Sequence, residues 1–211
     1  MPTLRLMVCV LALASCRRAP TVDPRFEPAK AAFQKKLALL PAIAKTLHAT
    51  APLKHDTLTA AAKGRFAILS SPQLSSVGGC FEGPASGVCD DLWWALSSCQ
   101  RIADQKAETV AELDVNALER CSTLARLAVV RQTSFHRPHA DHASRTYEGG
   151  HLAADVFVFD FDTGVLLGGL RTDARTPESL DKVTATTNVD RWLHEILGRL
   201  TYDQVLKRID G

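Results

Sequence analysis

The sequence predicts an α+β domain. Its sheet is a small antiparallel one of about 3–4 strands, packed with N-terminal, central disulfide-stapled and C-terminal helices. Three observations carry this expectation. Apolar residues recur at helical spacing near the N-terminus, in the middle and near the C-terminus. A run from Leu152 to Phe161 is apolar on both sides of an alternating pattern and ends in a turn followed by a second apolar run. Cysteines lie on the apolar faces of the two central helical stretches. The 211 residues, 46% hydrophobic and 23% charged, have ordinary globular composition and the length of a single domain. A net charge of +2 supplies no bulk field for nucleic acid, and 6% aromatics leave little base-stacking surface, so no nucleic-acid partner is expected.

The first 15 residues read as a signal peptide. Arg5 is followed by an uncharged apolar stretch from Leu6 to Ala14, about half the roughly 20 residues that a membrane-spanning helix needs. It closes on Leu13-Ala14-Ser15-Cys16. This resembles the lipobox of bacterial lipoproteins, an aliphatic residue and two small residues before a cysteine. The resemblance implies a diacylglyceryl group on the Cys16 thiol and cleavage that makes Cys16 the first mature residue. It also implies attachment to the membrane through the lipid. Arg17, in place of the aspartate that favours inner-membrane retention, implies an outer-membrane protein facing the periplasm. Residues 16–28 read as a proline-containing tether through Pro20, Pro24 and Pro28, and 29–211 as the folded domain.

Ala29 to His48 is predicted helical, with Phe33, Leu37, Leu40, Ala44 and Leu47 on one stripe and Pro41 as a kink or the start of a second helix. Arg65 to Ser71 is a short strand stopped by Pro72. Asp90 and Asp91 precede a helix whose face holds Leu92, Ala95, Leu96, Cys99, Ile102 and Ala103. Another helix begins near Asp114, with Val115, Leu118 and Cys121 on one side. Trp93-Trp94 is read as partial core.

Once Cys9 leaves with the signal and Cys16 carries lipid, Cys80, Cys89, Cys99 and Cys121 remain to form disulfides in an exported chain. Cys89 and Cys99 in one helix lie about 15 Å apart, too far to bond. The favoured pairing is Cys80–Cys89 and Cys99–Cys121 over Cys80–Cys99 with Cys89–Cys121. Their spacing lacks the close cysteine pair of a four-cysteine zinc site.

Leu124 to Phe135 and Leu152 to Phe161 are predicted strands. In the second, Val156 and Val158 point one way and Phe157, Phe159 and Phe161 the other. Asp162-Thr163-Gly164 turns the chain into Val165–Leu170, and Gly168-Gly169 there marks a bulge or a close backbone approach. Val189, Trp192, Leu193, Ile196, Leu197 and Leu200 form a helical stripe behind an Asn188 cap. Thr201 with Gln204 reads as a capping box opening a short last helix through Ile209.

Three groups of residues could carry chemistry. His136, His139, His142 and His151, with Asp141 among them, hold four of the chain's seven histidines, and imidazole with carboxylate suits a transition metal. His139-Ala140-Asp141-His142 resembles the second half of the metallo-β-lactamase signature His-x-His-x-Asp-His, but His136 stands three positions before His139 where the family has two. Arg126, Arg131, Arg137 and Arg145 surround the one aspartate, which disfavours a cation. Asp162-Thr163-Gly164 resembles the aspartic-protease loop, but it is followed by Val165 and has no second copy; turn chemistry accounts for it. Asp155 and Asp160 fall on opposite strand faces and do not make an acid–base pair. The strand half, from Tyr147-Glu148-Gly149-Gly150 through Leu167-Gly168-Gly169, resembles a pattern of uncharacterised bacterial lipoproteins, which implies no activity.

The leading expectation is therefore a non-enzymatic envelope lipoprotein with a binding or structural role toward a protein of the envelope. No catalytic residue and no cofactor are assigned. The alternative is a metal-binding or metal-dependent protein using the His136–His151 loop.

Overall fold

The computed structural model describes residues 22–70, 94–141, 146–176 and 189–209. The main sheet has four strands in the order β1, β2, β5, β6, from Phe66–Ser70 (β1), Arg126–His136 (β2), His151–Asp160 (β5) and Leu166–Arg175 (β6). His139–Asp141 (β3) and Thr146–Glu148 (β4) pair as a small separate ribbon between β2 and β5. β2, β5 and β6 are antiparallel neighbours, as expected. The sheet is nevertheless mixed, because β1 lies parallel to β2, with Phe66 opposite Arg126 and Ser70 opposite Val130. The long connection from β1 to β2, which among the described residues includes the helices at Trp94–Ala103 and Glu112–Ser122, is what allows a parallel pair.

Helices cover both faces. On one side lie Phe26–Leu37 (α1), Leu40–Ala49 (α2), Trp94–Ala103 (α3) and Glu112–Ser122 (α4). Their Phe26, Phe33, Ile43, Leu47, Leu96 and Leu118 pack with Leu69, Leu127, Val129, Phe157, Phe159 and Phe161 of the sheet side. On the other side lies Val189–Ile209 (α5), whose Val205 and Ile209 pack with Ile68, Val130, Val156, Val158 and Leu170. A third small cluster joins Leu197 of α5 to Leu152 and Ala174. β5 thus divides as its alternation predicts, valines toward α5 and phenylalanines toward α1–α4.

Several boundaries differ from the sequence expectation. The first helix starts at Phe26, so residues assigned to the tether form its first turn. Its stripe continues across a break at Ala38-Leu39 into α2, where Pro41 occupies the first turn, a position with no intrahelical N–H partner to lose. No new helix opens at Thr201. α5 runs unbroken, Thr201 is fully buried, and its hydroxyl donates to the Leu197 carbonyl one turn back (2.9 Å) instead of capping. Gln204 turns outward from that motif to β6: its Nε2 donates to the Asp173 carbonyl (2.8 Å) and its Oε1 accepts from the Asp173 N–H (3.0 Å).

Cys99 and Cys121 form a disulfide between α3 and α4, with Cα atoms 6.5 Å apart. Both are buried on the face shared by the two helices. Cys80 and Cys89 of the other expected pair lie outside the described residues, as do Cys16, Asn188 and Trp93.

Residues 50–59 leave α2 and run along the outer edge of β6. The Thr57 N–H donates to the Gly169 carbonyl (2.8 Å), the Gly169 N–H to Thr57 Oγ1 (3.0 Å) and the Arg171 N–H to Asp56 Oδ1 (2.9 Å). This strap occupies edge groups that an open sheet would expose. Gly168 makes the contact feasible. Its φ is +123°, and a Cβ there would stand 2.2 Å from the Thr57 carbonyl oxygen. The ladder also shifts register between Val158 and Phe159, so the Gly-Gly segment is both a bulge and a close approach. Gly168→Ala should lower folding stability by more than about 1 kcal/mol and speed exchange of the Thr57 amide. Unchanged denaturant unfolding with an equally protected Thr57 amide would contradict the strap's dependence on this glycine.

Candidate functional site

Two of the histidines, His136 and His151, lie at one end of the sheet. His136 ends β2 and His151 begins β5, directly opposite each other in the antiparallel ladder, and Arg175 stands across from His151 on β6. Residues opposed in this way share a face, with Cβ atoms about 4.5–5.5 Å apart. Each imidazole has a carboxylate partner. His136 Nε2–H donates to Glu148 Oε1 (3.0 Å), and His151 Nε2–H donates to Asp173 Oδ2 (3.0 Å). Arg175 Nε–H donates to the other Asp173 oxygen (3.0 Å). The Arg175 hydrogen bond, with that of His151 behind it, holds the Asp173 carboxyl below the usual carboxylate range.

This arrangement differs from the metal loop entertained from sequence. His136 and His151 are strand residues in cross-strand register rather than members of one loop. His139 lies on β3, where its backbone pairs with Glu148, and Asp141 pairs with Thr146. His142 lies outside the described residues. Among the described residues no three His, Cys, Asp or Glu side chains gather to hold a metal ion. Nε2 of His136 and Nε2 of His151 each lie 3.0 Å from a carboxylate oxygen, so these nitrogens are engaged in ion-pair contacts. The Tyr147–Gly150 segment that returns the chain to β5 is shaped by packing. A Cβ on Gly150 would fall 2.6 Å from Pro138, and the Gly150 N–H donates to Thr176 Oγ1 (2.7 Å).

The Asp-Thr-Gly segment is the β5–β6 turn. Gly164 has φ +73°, and its N–H donates to the Asp160 carbonyl (2.8 Å). Asp160 Oδ1 accepts from the Thr163 hydroxyl (3.0 Å) and from the Thr163 and Asp162 N–H groups (2.9 and 3.1 Å). Its Oδ2 accepts from Arg126 Nη1 (2.9 Å). Burial opposes ionisation of Asp160, but these donors outweigh it and hold the carboxyl below its ordinary value. Asp162, the residue that corresponds to a protease carboxylate, is an ion-pair partner of Lys36, and Lys36 Nζ also donates to the Leu124 carbonyl (2.8 Å).

Two basic residues take places the sequence does not predict: Lys36, which it does not single out, and Arg131, which it sets beside Asp141 and the structure pairs with Asp155. The Lys36 side chain is 6% exposed and its ammonium lies 5.5 Å from the Phe161 ring centre. It falls three residues after Phe33 and four before Leu40, a core position by spacing, so the signal was present. Arg131 continues the inward alternation of Leu127 and Val129 on β2. Its guanidinium donates to the Thr50 and Ala51 carbonyls (2.8 and 3.1 Å) and to Asp155 Oδ2 (3.2 Å), and lies 4.5 Å from the Phe157 ring centre. Asp155 is 1% exposed and also accepts from the Leu53 N–H (3.1 Å). Together they fix the C-terminal end of α2 and the start of the strap to β2 and β5.

At the other end of the chain, Arg25 fixes the entry to α1. Its guanidinium donates to Asp23 Oδ2 (2.7 Å), Asn116 Oδ1 (2.9 Å) and Glu119 Oε2 (3.3 Å), which joins the first described residues to α4. No family model, curated protein or solved structure matches this chain.

Two predictions follow from these polar clusters. Arg131→Ala leaves the buried Asp155 carboxylate without its cation and should cost about 3–5 kcal/mol, whereas the apolar pair Arg131→Met with Asp155→Leu should cost less. Chemical denaturation of the wild type, Arg131→Ala, the Arg131→Met and Asp155→Leu single variants and the double variant decides this; a double variant as unstable as the sum of its singles would contradict a coupled pair. The second concerns acid. The native Asp160 carboxyl lies below its unfolded value, so the unfolded chain binds more protons as pH falls. The resulting stability is complete above the ordinary carboxylate range and is lost as pH falls through the native value. Asp160→Asn should flatten the acid limb of a stability–pH curve, and an unaltered limb would show that the turn contributes nothing to it.

Proposed function

We propose that this protein is a lipid-anchored component of a bacterial cell envelope with a non-catalytic binding or structural role. The observation that carries the anchor is the register of an uncharged apolar stretch, Leu6–Ala14, with the Leu13-Ala14-Ser15-Cys16 segment. An acyl group on Cys16 would hold the mature chain at the membrane, and among the described residues no helix is long and apolar enough to cross one. The span from Cys16 to Asp23, extended at about 3.1 Å per residue, would keep the domain within roughly 20 Å of the lipid. A disulfide at Cys99–Cys121 supports an oxidising compartment. Arg17 after the cysteine favours the outer membrane, with the domain facing the periplasm.

The non-catalytic reading rests on how the residues suited to chemistry are used. Asp155, Asp160, Asp162, His136 and His151 each serve a structural partner: Arg131, a hairpin turn, Lys36, Glu148 and Asp173. The role then belongs to the surface of the domain and to a protein partner in the envelope.

Mass spectrometry of the membrane-extracted protein should show an acylated cysteine at position 16 as the mature N-terminus, and Cys16→Ser should abolish acylation and leave the signal uncleaved. A soluble mature chain with another N-terminus would overturn the anchor. Crosslinking and co-purification of the lipidated protein, with metal analysis of the same sample, tests the role. A stoichiometric envelope partner with no bound metal supports it. A stoichiometric transition metal lost on replacing His136 and His151 would replace it with a metal-dependent one.

A further inference from the structure

We draw no further inference here: the strongest candidate, the open groove of about 830 Å³ between α1 and α4 beside the chain entry at Pro24 and Arg25, has a floor of small residues at Ala29 and Ala32, and nothing in the structure shows what covers it.

Discussion

A strand with two apolar faces cannot be satisfied by a single layer of helix, and β5 is such a strand. Phe157 and Phe159 on one face and Val156 and Val158 on the other are all at most 1% exposed. Burial of each large apolar side chain is worth about 1.5–3 kcal/mol, so uncovering either face would forfeit several of these contributions at once. Every larger feature of the architecture answers that constraint. Helices α1–α4 cover the phenylalanine side, and α5 covers the valine side with Val205 and Ile209. The disulfide joins α3 and α4 in the first layer, where it restricts the unfolded chain between two elements that must both reach the sheet.

Three carboxylates of the ion pairs that tie elements together lie on or next to the same strand. Asp155 and Asp160 belong to β5, and Asp162 lies two residues beyond its end. Each meets a cation from another element: Arg131 and Arg126 from β2, and Lys36 from α1. A buried ion pair is weak evidence of net stabilisation, because desolvation offsets much of the attraction. Its sharper effect here is on geometry. Arg131 caps the carbonyls at the end of α2, where the helix dipole favours a cation, and Asp155 receives the Leu53 N–H. The chain is thereby aimed along the edge of β6, where Gly168 lets the strap approach.

Much of this was legible in the sequence because it depends on periodicity. The phenylalanine and valine faces of β5, the helical stripe from Phe33 to Leu47, the turn at Gly164 and the contact at Gly168-Gly169 all follow from spacing and from the conformations glycine allows. The Cys99–Cys121 pair followed from two helices presenting cysteine on their apolar faces. What spacing could not supply was register between distant segments. The parallel pairing of β1 with β2 depends on a connection through α3 and α4, which carries no local signal. His136 and His151 are opposed only because the ladder places a bulge between Gln132 and Ser134, so the sequence presented a loop where the fold presents adjacent strand ends. Thr201 and Gln204 match a helix start in type and spacing, yet burial of Thr201 and the reach of Gln204 to Asp173 keep α5 continuous. The partners of Lys36 and Arg131 were not legible, because a charge at a core position gains its meaning from a residue far along the chain.

β5 and both helix layers form one cooperative unit. Native-state hydrogen exchange of the Phe157 and Val158 amides, followed against denaturant, tests it most directly. The account predicts that both exchange only through global unfolding, with the same free energy and the same denaturant dependence as amides in the middle of α4 and near Val205 in α5. Exchange of the α5 amides through a separate, lower-energy opening that leaves Phe157 and Val158 protected would contradict it and would make the C-terminal helix an appendage to a domain closed on one side alone.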